Sequence, residues 1–549
     1  MPRLADALRS PAVRAALLLL AAAPLPGGRL APVSPDTPSA AKPSADTPPA
    51  ADKPSLVVLI TIDQMRGDYI QRFARQLNGG LARLSQGGAW YTNAHHDHAI
   101  TETAPGHATL MSGRFPRSTG IMMNAIGVED ESMPLLAGAY GNGASPRRFV
   151  GTTLVDWVRE AQSRSRTLSV SMKDRGAILP VGRSKSDVFW YSPDGRFTTS
   201  AYYRDAIPKW VNEFNGRHMP AGYAGKSWEL LLAPTEYAEL DSVPVEGGGS
   251  DFVFPHHLPD DVVDAQSLVR TTPFMDDIVL AFALAGVNSL ALGKGSHTDL
   301  LGVSLSATDV IGHRYGPDSR EMHDQILRVD RAIGRFLDSL YTLRDSTKVT
   351  VVLTGDHGVG TIPEIANAQG KQPPPVRARL SSLMPPIRAL LRAAKVDTFA
   401  IDMDQQLMTV DRAALKKSTV NVDSIIDAFA VSARAMPGVA RADRFRALLA
   451  DTLADPIARR WSHQFPATLP IELIVTLTPL STWGGNVASH GSPYDYDSNV
   501  PLIFFGAGIT PGKHAEFVRT VDLAPTLAQL LGVKPLEKLD GVPLLNALR

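Results

Sequence analysis

An α/β fold with a doubly wound, largely parallel sheet and helices on both faces is what this sequence predicts, and three observations carry that expectation. Residues 56–62, 300–307, 348–354 and 501–505 are short apolar, β-branched runs, hydrophobic at successive positions as strands buried on both faces must be. Helical periodicity fills the stretches between them, as in residues 322–341 and 522–531. Three of the four runs lead into Asp63, Asp309 and Asp356-His357, and open parallel sheets collect their ligands at the carboxyl ends of strands.

The N-terminal residues read differently. Arg3, Arg9 and Arg14 precede the apolar residues 15–23, and Ala21-Ala22-Ala23 offers a small-x-small cleavage pattern, so residues 1–23 are expected to be a secretory signal peptide. The run is shorter than the roughly 20 apolar residues a membrane-spanning helix needs, and no stable membrane insertion is expected after cleavage. Residues 24–54 contain nine prolines among Ala, Ser, Asp and Thr, a composition that cannot sustain a packed core, and form a predicted linker. The folded part is expected over residues 55–549, in the periplasm or secreted. Two stretches, about 185–265 and 362–480, lose the strand–helix rhythm and carry Trp190-Tyr191, Tyr202-Tyr203, Gly247-Gly248-Gly249 and Pro373-Pro374-Pro375; they read as inserted cap segments that roof the site.

Composition narrows the chemistry. Of 549 residues 44% are hydrophobic, and 55 Lys+Arg balance 55 Asp+Glu, so no global field draws the chain to nucleic acid. Cysteine is absent, which excludes disulfides, thiol nucleophiles and thiolate metal sites; any metal must be held by nitrogen and oxygen.

Within residues 101–113, Pro105 suits the first turn of a helix and Thr103 stands just before it, where free N–H groups and the helix dipole favour an anion. Alone, Thr103 is more often an ordinary N-cap. Asp309 and His313 four residues apart, the adjacent pair Asp356-His357, His490 in a Ser-His-Gly-Ser loop, and Asp63 together make a set large enough for two divalent ions, with zinc best suited to mixed imidazole and carboxylate ligation.

In this order, Asp63, Thr103-Ala104-Pro105-Gly106-His107, Asp309-x-x-x-His313, Thr354-Gly355-Asp356-His357-Gly358 and Ser489-His490-Gly491 resemble the alkaline phosphatase superfamily. The resembling branch uses a Thr nucleophile and holds the type I phosphodiesterase/nucleotide pyrophosphatases and the phosphate-irrepressible alkaline phosphatases. The resemblance implies one zinc on Asp309, His313 and His490, a second on Asp63, Asp356 and His357 beside Thr103, and a phosphothreonine intermediate. Asn124, 21 residues after Thr103, matches an Asn that donates to a nonbridging phosphoryl oxygen in both branches. Lys173 and Arg175 match the Lys-x-Arg pair of the monoesterases, and two fixed cations favour a dianionic phosphoryl group over a diester. The expected substrates are therefore small phosphate monoesters, with phosphodiesterase or nucleotide pyrophosphatase activity at the same two-metal site as the alternative. Sulfatase chemistry lacks its Cys or Ser-x-Pro-x-Arg motif. No nucleic acid is an obligate partner, and a monomer is favoured.

The tract His95-His96-Asp97-His98 is expected to bind no catalytic metal, and His107 is expected to be a packed, hydrogen-bonded residue. Asp276, Asp277 and Asp324 are offered as carboxylates that could hold the second nitrogen of a ligand imidazole.

Overall fold

The structure is a computed structural model that describes residues 53–549 apart from residue 451; the expected signal peptide and almost all of the linker lie outside the described residues. Ten strands among these residues form one sheet: β1 (Leu56–Ile62), β2 (Ala89–His95), β3 (Thr167–Ser171), β4 (Asp187–Ser192), β5 (Arg196–Thr198), β6 (Asp299–Leu305), β7 (Val349–Gly355), β8 (Asn499–Gly506), β9 (Gly512–His514) and β10 (Val518–Arg519). Their order is β9-β2-β8-β7-β1-β6-β3-β4-β5, with β10 also on β2. The strands from β7 to β4 are mutually parallel. β8 is antiparallel to both β7 and β2.

Side-chain alternation splits each central strand between two cores. Leu56, Val58, Ile60 and Ile62 of β1 enter one and Val57 and Leu59 the other. The helices that cover the sheet are α1 (Thr103–Leu110), α2 (Leu154–Ala161), α3 (Phe274–Ser289), α4 (Ala307–Tyr315), α5 (Arg320–Leu343) and α6 (Leu523–Leu531). Phe282 of α3 and Ile326 of α5 pack on the first face, Ala108 of α1, Trp157 of α2 and Leu527 of α6 on the second. The doubly wound, largely parallel α/β architecture predicted above is therefore present.

One boundary differs from the expectation. The stretch beginning near 185 does not start as a cap: β4 pairs in parallel with β3, and its residues alternate between the two cores, Val188 and Trp190 into one, Phe189 and Tyr191 into the other. Trp190 and Tyr191 are buried there, because a strand inside an α/β sheet needs apolar side chains on both faces. Residues 362–480, by contrast, hold a separate four-stranded antiparallel sheet of Ile401–Asp404, Leu407–Val410, Ile471–Leu477 and Val439–Arg444, with its own core around Met408, Phe429 and Leu473. No helix among the described residues is long and apolar enough to cross a membrane.

One close approach sets the position of α1. A Cβ at Gly106 would fall 2.2 Å from the carbonyl oxygen of Asp356, so α1 rests backbone on backbone against the chain leaving β7, and only glycine admits that contact. We predict that Gly106→Ala forces the two apart, destabilising the fold by about 1–3 kcal/mol and reducing activity. Urea unfolding alongside turnover checks this, and an unchanged midpoint with full activity would contradict it.

Candidate active site

The parallel strands deliver their ligands at one end of the sheet. β1 ends into Asp63, β7 into Asp356 and His357, and the turn after β6 opens α4, which carries Asp309 in its first turn and His313 one turn later. His490 comes from the loop before β8. Because β8 runs antiparallel, its beginning lies at the same end as the other strands' ends, and a ligand that precedes a strand joins ligands that follow strands.

Two groups result. The ligating atoms of Asp63, Asp356 and His357 lie within 4.8 Å of one another, as do those of Asp309, His313 and His490. His357 Nε2 is 3.4 Å from Asp63 Oδ1 and 4.0 Å from Asp309 Oδ1, so the groups adjoin. The six carboxylates and imidazoles expected as metal ligands are brought together in these sets, whereas Thr103, expected at the metal as well, belongs to neither group.

Each imidazole is oriented in the same way. Nδ1 of His313 donates to the carbonyl of Ala488 (2.9 Å), that of His490 to Thr101 (2.7 Å) and that of His357 to Gly358 (2.9 Å). A carbonyl only accepts, so the proton sits on Nδ1 and the Nε2 lone pair faces the site. His313 and His490 bring these Nε2 atoms to 3.2 Å from each other and to 3.4 and 3.6 Å from Asp309 Oδ1. Burial, with His357 and His313 nearby, holds His490 well below the usual imidazole range and therefore neutral, as a ligand must be.

The carboxylates share a dry space. Burial, then the charges of Asp309 and Asp356, push the Asp63 carboxyl up to about 6. Burial opposes the charge of Asp356 as well, but His357 and His107 outweigh it and hold that carboxyl below its ordinary range. Oδ1 of Asp63 and Nε2 of His357 are buried without a hydrogen-bond partner. Such atoms are costly unless a cation satisfies them, and a set of nitrogen and oxygen donors suits a divalent ion. Lys173 brings a cation here: its ammonium lies 2.7 Å from Asp63 Oδ2 and 2.5 Å from Asp309 Oδ2, between the two groups. Burial works against that charge, yet Asp309 and Asp63 raise the Lys173 pKa above its ordinary value.

Thr103 is not the N-cap of α1. Glu102 occupies that position in extended backbone and Thr103 is the first helical residue, almost fully buried. The reason lies in a reciprocal pair: the Glu102 carboxylate accepts from the backbone N–H of Asn124 (2.6 Å), and Asn124 Oδ1 accepts from the N–H of Ala104 (2.8 Å). Asn124 thus caps the helix from a distance, and its acceptor end being used turns the amide's NH₂ end into the available donor. His107 is packed as expected, with Nδ1 2.9 Å from the Thr103 carbonyl and 3.0 Å from Asp356 Oδ2, and Nε2 2.9 Å from Ser304 Oγ.

Arg175 stands at the mouth. Its Nε is buried without a partner, its side chain is 29% exposed, and the nearest carboxylate, Asp174, is 3.7 Å from Nη1. A cavity of about 550 Å³ opens beside Lys173 and Arg175, walled by Met172, Trp190, Tyr191 and Arg270.

The three carboxylates offered as imidazole supports lie elsewhere. Asp276 accepts from the N–H of Ala307 and from Gln325, bracing the start of α4. Asp277 pairs with Arg335 at the surface, and Asp324 accepts from Trp228, Leu231 and Tyr237 of the inserted segment. Backbone carbonyls orient the ligand imidazoles instead. The tract from His95 to His98 stays outside both groups, His96 donating to the Gly355 carbonyl and Asp97 pairing with Arg459. Sequence reasoning missed Gln64, Glu102 and Asp497. Asp497, buried and pushed up to about 7 by that burial, accepts from the N–H and hydroxyl of Ser492, while its carbonyl accepts from Gly358. It thereby ties the His490 loop to the His357 turn, and only its place seven residues after a metal-type histidine could have signalled it.

The sequence pattern of the type I phosphodiesterase / nucleotide pyrophosphatase family matches residues 57–429. Alkaline phosphatase PafA of Elizabethkingia meningoseptica is 30% identical over 88% of this chain and 93% of its own length, and alkaline phosphatase PhoV of Synechococcus elongatus 31% identical over 89% and 92%. The crystal structure of wild-type PafA superposes with a TM-score of 0.83 at 28% identity, covering 90% of this chain and 99% of that one. A solved PafA variant substitutes a Thr, an Asn, a Lys and an Arg with the spacing found between Thr103 and Asn124 and between Lys173 and Arg175. The chain belongs to the type I phosphodiesterase/nucleotide pyrophosphatase family, in the branch of the alkaline phosphatase superfamily that holds the phosphate-irrepressible alkaline phosphatases.

Proposed function

We propose that this phosphoric monoester hydrolase passes the phosphoryl group first to Thr103 and then to water, with zinc held at each of its two ligand groups. The observation that carries the reading is the convergence of two nitrogen–oxygen ligand sets, with Asp63 Oδ1 and His357 Nε2 buried and unpartnered, while His107, in contact with both the Thr103 carbonyl and Asp356, keeps the start of α1 close to the second set. Asp309, His313 and His490 would hold one ion and Asp63, Asp356 and His357 the other. When bound, two such dications acidify the threonine hydroxyl and the attacking water and offset charge on the leaving oxygen.

The chain's own residues supply the rest. The Thr103 oxygen gives up its proton to solvent and forms a bond to phosphorus as the ester P–O bond breaks, and the departing alkoxide takes a proton from solvent. Water then forms the new P–O bond as the threonine ester breaks, releasing inorganic phosphate and returning the hydroxyl. The N-terminal N–H groups of α1 and its dipole favour the anion at this position. The NH₂ end of Asn124 is suited to donate to one nonbridging oxygen. Lys173, between the two groups, and Arg175, at the mouth, match the two charges of a monoester dianion, and the adjoining cavity has room for the group esterified to it. The Arg-led apolar stretch at residues 15–23 supports export, so we place this activity in the periplasm or outside the cell.

Thr103→Ala is expected to abolish covalent labelling by a radiolabelled aryl phosphate while zinc content and circular dichroism stay near wild type; full turnover by this variant would remove Thr103 as nucleophile. Lys173→Ala and Arg175→Ala should each lower kcat/KM for an aryl phosphate monoester by about 100-fold or more and for a bis-aryl diester far less. Equal losses on both substrates would point to the diesterase alternative. Chelator treatment should inactivate the enzyme, with zinc restoring it best, and recovery with manganese alone would overturn the metal assignment.

A further inference from the structure

Gln64 directly follows the ligand Asp63, and no sequence motif assigns it a role. It is fully buried and its φ is +66°, in the left-handed region that a non-glycine residue occupies at a cost. That turn sends its two donors in different directions. The backbone N–H donates to Asp356 Oδ1 at 3.0 Å, while the side-chain Nε2 donates to Asp309 Oδ1 at 2.9 Å and lies 3.5 Å from the Asp309 carbonyl. Asp356 belongs to one ligand group and Asp309 to the other. One residue therefore hydrogen-bonds a carboxylate in each, and it is covalently joined to a third ligand, Asp63.

The neighbouring helix is shaped around this amide. A Cβ at Gly312, between Asp309 and His313 on α4, would fall 1.7 Å from Gln64 Oε1 and 2.9 Å from its Cδ. The amide oxygen itself has no hydrogen-bond partner. Turning the amide over would set that oxygen against the Asp309 carboxylate, so the donor end is the one the site uses. A glycine at position 64 would adopt the same backbone without cost and keep the N–H on Asp356, which isolates the amide as the part that the strained turn supports.

We propose that Gln64 is a positioning residue that fixes the two metal-ligand groups relative to each other, its backbone holding Asp356 and its amide holding Asp309. This inference rests on the two-ion reading above. Partners of this kind, which touch a ligand and not the metal, typically change metal affinity or activity by about 10–100-fold when removed.

The test uses the full-length purified enzyme and zinc itself as the probe. Gln64→Gly, which relieves the backbone, and Gln64→Met, which keeps the side chain's length without a donor, are each titrated with a zinc buffer while bound zinc per chain is counted. Both are expected to lose affinity for one of two ions by about 10–100-fold, with kcat falling in parallel, KM changing little and the thermal midpoint of Gln64→Gly not falling in the metal-free state. Gly312→Ala should reproduce the zinc defect by pushing the amide away. In the Gln64→Gly background it should add little, because the atoms its methyl would strike are gone. Wild-type zinc affinity and kcat in Gln64→Gly would overturn the proposal while leaving the two-ion reading intact. A wild-type chain that binds no zinc would overturn both. Additive losses from Gln64→Gly and Gly312→Ala would also count against it, since they would mean that Gly312 serves α4 and not the amide.

Discussion

Everything at this site follows from packing like charge in a buried space. Asp63, Asp309 and Asp356 converge on a dry pocket at one end of the sheet, and all three are buried. Their mutual repulsion is visible in Asp63, which burial and its two neighbours drive up to about 6, and in Lys173, whose ammonium they draw between them. A cluster of this kind is stable only with compensating positive charge, and the fold spends its most exacting contacts on building it. α1 meets the chain after β7 without room for a Cβ at Gly106, and Gly358 meets the Tyr496 carbonyl at 2.2 Å from where its own Cβ would stand. Backbones that approach so closely cannot drift, so ligand positions inherit the rigidity of the sheet.

The same packing explains what the sequence could disclose. Asp63, Asp309 and Asp356-His357 follow parallel strands, and a hydrophobic run that stops at a ligand-type residue is visible without coordinates. His490 is different. It precedes a strand that runs antiparallel, so no strand-end rule reaches it, and its residue type in a Ser-His-Gly-Ser loop, together with the ordered resemblance to a known family, pointed to it. Thr103 was legible as a helix start but not as the first helical residue, because its cap is assembled by Glu102 and Asn124 across 22 residues of chain. Gln64 and Asp497 were illegible for a related reason: each acts through bonds to residues some 290 positions away or to the backbone of a neighbouring loop, and local patterning records neither.

Aromatic residues misled the reading of residues 185–198. Trp190 and Tyr191 look like surface features in a stretch rich in charge and glycine, yet consecutive aromatics pointing to opposite faces are what a strand buried on both sides requires. Placing β4 inside the sheet has a functional consequence, because Trp190 and Tyr191 then form a fixed wall of the cavity beside Lys173 and Arg175. The space next to Lys173 and Arg175 is thus built partly from the rigid sheet and only partly from inserted loops.

Lys173 and Arg175 are two residues apart and differ in what holds them. The lysine is locked between two ligand carboxylates, and its charge is as much a part of the electrostatic balance of the cluster as of any substrate interaction. The arginine has no such tie: its Nε is unpartnered and its side chain reaches the cavity. A planar fork left free at the mouth can meet two oxygens of an incoming phosphoryl group at once, whereas an ammonium already engaged by carboxylates responds to changes in the charge around them. Lys173 and Arg175 therefore differ in kind: the lysine offsets part of the carboxylate charge inside the cluster, and the arginine holds a directional fork at its edge, beside the cavity.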